Sequence, residues 1–281
     1  MEVESCSIPR IIWIMWYQGF DEAPEVVQKC LASWKKYNPT WKIISLDKNN
    51  LENNINLRDV VDIHRKDISI QEVSNIVRIN LLAKYGGVWV DATCFCCQSL
   101  DDWIDYYASS GFFAFNKPGR DRLLSNWFLA SGKNCYLTAV MCRENNLFWS
   151  SNYFTNQQSN YGRITVWILA KVLNRNSYTT RWWFSFLILK VFKVYPYFTV
   201  HYLFSEIIRK DDLCKKIWNE TRKISADIPH KLQRVGLLQA LPEEIKEDID
   251  SRKAPLYKLT WKHNKSAYPK GCILDYLLRS I

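Results

Sequence analysis

Apolar positions along this chain fall into short unbroken runs separated by longer stripes of helical period, and their order alternates strand with helix. Residues 9–19 (PRIIWIMWYQG) make an Ile- and Trp-rich run closed by Gly19, the signature of a buried strand. Pro24 opens a helix to about Tyr37 whose stripe is Val27, Leu31 and Trp34. Asn38-Pro39 ends it, because a residue before proline is pushed out of the helical region. Residues 41–46 (WKIISL) predict a second strand, stopping at Asp47. Strand, helix, strand is the opening of a parallel-sheet α/β fold.

The best-defined helix follows a polar stretch, 47–68. Ser69 and Glu72 form a capping box, S-x-x-E, in which Ser69 accepts from a first-turn N–H and Glu72 reaches back. Ile70, Val73, Val77, Leu81 and the stem of Lys84 share one side; Gln71, Asn75 and Arg78 share another. Gly86-Gly87 ends the helix, and 88–97 (VWVDATCFCC) predicts a strand interrupted by Asp91. A carboxylate in an apolar run is costly to bury unless something engages it. The carboxyl ends of strands in open α/β sheets are where ligands sit. Asp91 therefore has two readings: a ligand for a divalent cation or a ribose hydroxyl, or a structural cap or ion pair with Arg78.

Beyond residue 110 the pattern is mixed. GFFAFN (111–116) predicts a strand and LSNWFLASGK (124–133) a helix. Residues 181–204 form the most apolar window, broken by Lys190, Lys193, Pro196 and His201. No span approaches the roughly 20 residues a bilayer crossing needs. The window is either core or an aromatic, basic patch lying on a membrane surface. The tail, 255–278, carries KLTWKHNK and ends in a short apolar helix.

Composition narrows the classes. With 281 residues, 48% apolar and 23% charged, the chain is globular rather than disordered. Its 13 Trp suit a sugar- or base-stacking surface, a large core or a membrane face. A net charge of +10 favours anionic partners: nucleotides, nucleic acid or acidic lipid. The cations are scattered and no nucleic-acid-binding motif is present, which sets nucleic acid aside. Nine Cys, an odd number, and an N-terminus without a secretory pattern lead to the expectation of a reducing cytoplasm. Cys94, Cys96 and Cys97 invite a zinc reading, but they continue an apolar run.

The run SNIVRINLLAKYGGVWVDAT (74–93) resembles the capsular polysaccharide synthesis protein family, similar in turn to glycosyltransferase family 32 and the clostridial glucosylating toxins. The hallmark there is an Asp-x-x-Arg helix, Tyr-Gly-Gly, a short strand and an Asp-x-Asp-type motif. IPRIIWIMWYQG (8–19), SWKKYNPTWKI (33–43), NWFLAS (126–131) and KLTWK (258–262) also resemble the family, in order, so the likeness runs from residue 8 to about 278. It implies one GT-A-like α/β domain over 1–281, with a Rossmann-like, mostly parallel central sheet flanked by helices and a mixed α/β C-terminal half. Residues 1–105 would bind the nucleotide sugar; 106–281 would shape the acceptor site and close it.

The resemblance also implies roles. Arg78 would contact the donor sugar or its phosphates. Asp91 takes the first Asp of Asp-x-Asp, meeting ribose and metal, and Asn126 helps to hold metal and donor. Trp13 or Trp16 would meet the base unless both are core. Lys258, Trp261 and Lys262 would close over the diphosphate. Two positions depart from the pattern: Asn75 stands where the Asp of Asp-x-x-Arg is usual, and Thr93 where the second metal-binding Asp would be, although Asp-Ala-Thr occurs in the capsular family. A metal, Mn²⁺ or Mg²⁺, would then rest on Asp91, Thr93 and Asn126, with one carboxylate plus phosphates and waters.

The function so implied is transfer of a sugar from a nucleoside-diphosphate donor, UDP-linked by preference, to a lipid-linked saccharide in capsular or other surface polysaccharide synthesis of a bacterial type. Retention of configuration by front-face attack is expected, at the inner face of the cell membrane with 181–204 as a contact. The rival readings are a catalytically degenerate nucleotide-sugar or glycan binder, and a sugar-phosphate transferase.

Overall fold

The computed structural model describes residues 7–57, 61–263 and 268–281. The N-terminal residues 1–6 and part of KLTWKHNK, residues 264–265, lie outside the described residues. Strands β1 (Ile11–Met15), β2 (Lys42–Leu46) and β3 (Gly87–Asp91) are parallel, with β1 in the middle. The sheet continues through β6 (Arg122–Ser131) to β5 (Phe112–Gly119), in the order β2-β1-β3-β6-β5. Because β6 is antiparallel to both neighbours, β5 again points the way of β3, and the sheet is mostly parallel.

Period-two alternation sends side chains to both faces. Ile12, Ile14, Val88 and Val90 pack with Val27, Leu31 and Trp34 of helix α1 (Glu25–Tyr37). Trp13, Met15 and Trp89 pack on the other face with helix α2 (Ile70–Tyr85), helix α3 (Tyr136–Ser151) and helix α5 (Thr199–Lys210). Between α3 and α5 runs α4 (Asn160–Leu173). The result is the helix-covered α/β sheet expected from the opening strand-helix-strand pattern.

Helix α2 begins where Ser69 Oγ accepts from Glu72 N (3.3 Å). Glu72 turns inward and is buried instead of lying back over the cap. The helix ends at Gly86-Gly87, both in the left-handed region. A Cβ on Gly87 would lie 2.6 Å from Ile11 O, so this entry into β3 needs glycine for conformation and for room.

Three expectations change. The run 88–97 is not one strand: β3 stops at Asp91, and Cys94–Cys96 forms β4, which leaves the main sheet to pair with β7 (Leu256–Lys258). The helix expected over 124–133 is strand β6. It is a central strand buried on both faces, so no polar alternation marks it, and its Leu and Ala residues mimic a helix. The window 181–204 divides. Trp183, Ile188, Val194 and most of α5 are buried, whereas Trp182, Phe186, Leu187 and Val191 are exposed.

The cysteine run is packing material. Cys94 and Cys96 belong to the cluster under α1, and burial pushes both thiols up to about 12.

Candidate active site

Asp91 is the last residue of β3 and pairs with Met15, the last of β1. Its carboxylate thus emerges at the carboxyl end of the parallel strands, 28% exposed, where a ligand can reach it. Three donors converge on it. Oδ1 accepts from Trp89 Nε1 (3.1 Å) and pairs with Arg78 Nη2 (3.1 Å); Oδ2 accepts from Lys258 Nζ (3.2 Å). Burial alone would raise the Asp91 pKa, but Arg78 and Lys258 hold it below the usual carboxylate range, so it stays ionised.

The donors are themselves fixed. Arg78, with its side chain 5% exposed, lies over the Trp89 ring (5.0 Å) and donates to Ser74 Oγ (3.0 Å) and to Asn126 O. Lys258 arrives through the β4–β7 pairing, where it sits opposite Cys94. Its ammonium also donates to Thr93 Oγ1 (2.5 Å), bridging the first and third residues of Asp91-Ala92-Thr93. Burial works against the Lys258 charge, yet Asp91 raises its pKa above the ordinary lysine value.

Behind this group runs a polar line into the core. Asn126 Nδ2 donates to Asn75 Oδ1 (2.8 Å), and Asn75 Nδ2 donates to Glu72 Oε2 (2.9 Å). Burial pushes Glu72 up to about 7, partly offset by Asn75 and Arg78. At the mouth, Trp16 is half-buried and meets the exposed Trp261 edge-to-face at 6.0 Å. Lys262 is exposed beside it.

Trp13 does not share the mouth. It is 2% exposed, tilted against Tyr85 (5.5 Å), with its indole N–H donated to Gly86 O (3.0 Å). As the inward residue of a buried strand it is core, so the aromatic face falls to Trp16. Two cavities, of about 580 and 430 Å³, lie elsewhere, one against α3 and α5, the other around Asp227 and Tyr257.

The family model described as "Capsular polysaccharide synthesis protein" matches residues 1–277. The chain belongs to that family. Among curated relatives, the O-glycosyltransferase braB of Annulohypoxylon truncatum is 23% identical over 145 residues, 45% of this chain and 34% of that protein. The glycosyltransferase afumC of Aspergillus fumigatus is 28% identical over 106 residues, 34% of this chain and 27% of that protein. The chain thus spans between about a quarter and a third of the length of the curated relatives it matches. A solved structure titled PaToxG Glycosyltransferase aligns with 86% of this chain and 84% of its own, at 14% identity and a TM-score of 0.39.

In this member of the capsular family the donors around Asp91-Ala92-Thr93 fit a divalent ion poorly. There is one carboxylate, and both its oxygens already accept from N–H groups. The Thr93 hydroxyl already accepts from Lys258. Among the described residues no three His, Cys, Asp or Glu side chains gather as a metal site. The position a hard cation would need is filled by an ammonium.

In the sequence Glu72 stands out only as a capping residue. The available signal was its place one turn before Asn75, the position at which the family's usual carboxylate is missing.

Proposed function

We propose that the chain is a glycosyltransferase that moves a sugar from a nucleoside-diphosphate donor, UDP-linked by preference, to a saccharide acceptor on a lipid carrier. The observation that carries this is the cluster at the sheet's carboxyl end, where two cations, Arg78 and Lys258, bracket the partly exposed carboxylate of Asp91. A diphosphate leaving group gains charge as its bond to the sugar breaks, and fixed cations there stabilise the transition state more than the ground state.

In this scheme Arg78 and Lys258 meet the diphosphate, and Asp91 orients both and accepts from a ribose hydroxyl. Trp16 and Trp261 hold the base, Asn75 and Asn126 hold the donor sugar, and Lys262 closes from outside. The bond from the anomeric carbon to the diphosphate oxygen breaks, the acceptor oxygen bonds to the same face of that carbon, and the acceptor proton passes to a phosphate oxygen. No protein nucleophile is required. The ammonium of Lys258 supplies the charge that Mn²⁺ or Mg²⁺ gives in an Asp-x-Asp site. The family's description and the two relatives named as glycosyltransferases support the reaction class.

A non-catalytic binder is the second reading, favoured by Asn75 and Thr93 at positions where the pattern has carboxylates. A panel of nucleotide sugars separates them: the enzyme releases nucleoside diphosphate, with EDTA as well as with Mn²⁺. Binding without release supports the binder, and release of the monophosphate indicates a sugar-phosphate transferase.

A further inference from the structure

Helix α4 is apolar on two sides, and among the described residues only one side is packed against the rest of the chain. Val166, Leu169 and Leu173 pack on the small cluster of Trp183, Ile188, Val194 and Tyr202. The opposite side carries Ile164, Trp167, Ile168 and Val172, each more than half exposed, at the spacing of one helical stripe. The segment packed beside α4 repeats the arrangement: Trp183 and Ile188 point into the same cluster, while Trp182, Phe186, Leu187 and Val191 are each more than half exposed. Two neighbouring elements thus turn large apolar side chains outward from one shared core.

The stretch of chain that forms this shelf carries charge of one sign, although Glu144 and Glu206 flank it. Residues 145–205 hold six Lys and Arg and no Asp or Glu, although the chain has 28 acidic residues. The cations are interleaved with the aromatics: Lys171 Nζ lies 3.4 Å from the centre of the Trp167 ring, and the Arg181 guanidinium 5.0 Å from that of Trp182. Trp and Lys/Arg side by side on an exposed apolar surface suit the headgroup level of a bilayer, where rings meet acyl chains and cations meet lipid phosphates. A second copy of the chain would bring like charges together. Among the described residues no helix is long and apolar enough to cross a membrane, so the contact is one of lying on the surface.

We infer that α4 and the outer residues of 178–191 form a docking face for an anionic lipid bilayer. This moves the expected membrane contact away from the buried half of 181–204, and it deepens the proposed use of a lipid-linked acceptor, on which its purpose rests. Docking would hold the transferase on the two-dimensional surface where such an acceptor lies.

The test is co-sedimentation of the full chain with vesicles of phosphatidylcholine alone and of phosphatidylcholine with phosphatidylglycerol. Binding should be roughly tenfold or more stronger to the anionic vesicles and should weaken with salt. Trp167→Glu with Phe186→Glu should abolish it, as should Lys171→Glu with Arg181→Glu, with unchanged melting temperature and unchanged binding of nucleoside diphosphate. Wild-type chain that ignores anionic vesicles, or variants that pellet like wild type, would overturn the docking face while leaving the donor site untouched. So would a wild-type dimer that the Trp167→Glu variant makes monomeric, since the face would then be a protein interface. Vesicle binding without any binding of nucleoside diphosphate would support the face and defeat the enzyme reading alone.

Discussion

At the residue scale the site is a balance of buried charges, and each has a consequence. Replacing Lys258 with Ala leaves Asp91 Oδ2 and the Thr93 hydroxyl without their shared cation. The expected result is at least a tenfold loss of UDP affinity in EDTA with partial recovery in Mn²⁺, because the oxygens released can hold a metal; wild type should bind equally well in both. Titration calorimetry of the two proteins under both conditions checks this. Glu72 makes a separate prediction about stability. Its carboxyl ionises near pH 7 when folded, against 4.5 ordinarily, so between those values the folded chain holds a proton the unfolded chain has lost. Stability therefore falls as pH rises from about 4.5 to about 7 and levels off above, by on the order of 3 kcal/mol from this group. Glu72→Gln should flatten that fall, and urea unfolding at the two ends of the range measures it. Of these charges, Asp91 was visible in the sequence because a carboxylate inside an apolar run is rare, and its pairing with Arg78 follows from helix and strand joined by Gly86-Gly87. Its other partner, Lys258, stands 167 residues further on, and only family likeness brought it to notice.

At the element scale, local signals decided what could be read in advance. Helix α2 was clear because Ser69 caps one end and two glycines stop the other. Strand β6 was not, because a strand buried on both faces carries no alternation, and its identity comes from pairing with β3 and β5. The break after Asp91 was equally hidden: β4 is three residues long and exists through its partner β7. That break matters chemically, since it turns the chain at Ala92-Thr93 and lets β7 deliver Lys258. The start of β3 is the sensitive joint. Gly87→Ala should destabilise by about 2 kcal/mol or more, because φ is +92° and the new Cβ would strike Ile11 O. A matched Gly19→Ala change, with the same sign of φ but open space around it, should cost less; thermal melts of the two variants make the comparison.

At the scale of the whole molecule, the two functional surfaces are built from different parts of the chain. The cation cluster joins strands of the parallel sheet to the C-terminal β7, whereas the apolar, basic shelf belongs to α4 and the segment beside it. Variants of one should therefore leave the other intact, as expected for distant, independent sites. A bound nucleoside diphosphate stabilises only the folded chain, so it should raise the melting temperature in proportion to occupancy. The most direct test is that shift, measured across UDP, GDP, ADP and CDP in EDTA for wild type, Arg78→Ala and Asp91→Ala, each verified as folded. The account predicts a saturable rise for at least one diphosphate in wild type and none in either variant. An equal rise in all three proteins, or no rise in wild type, would contradict it.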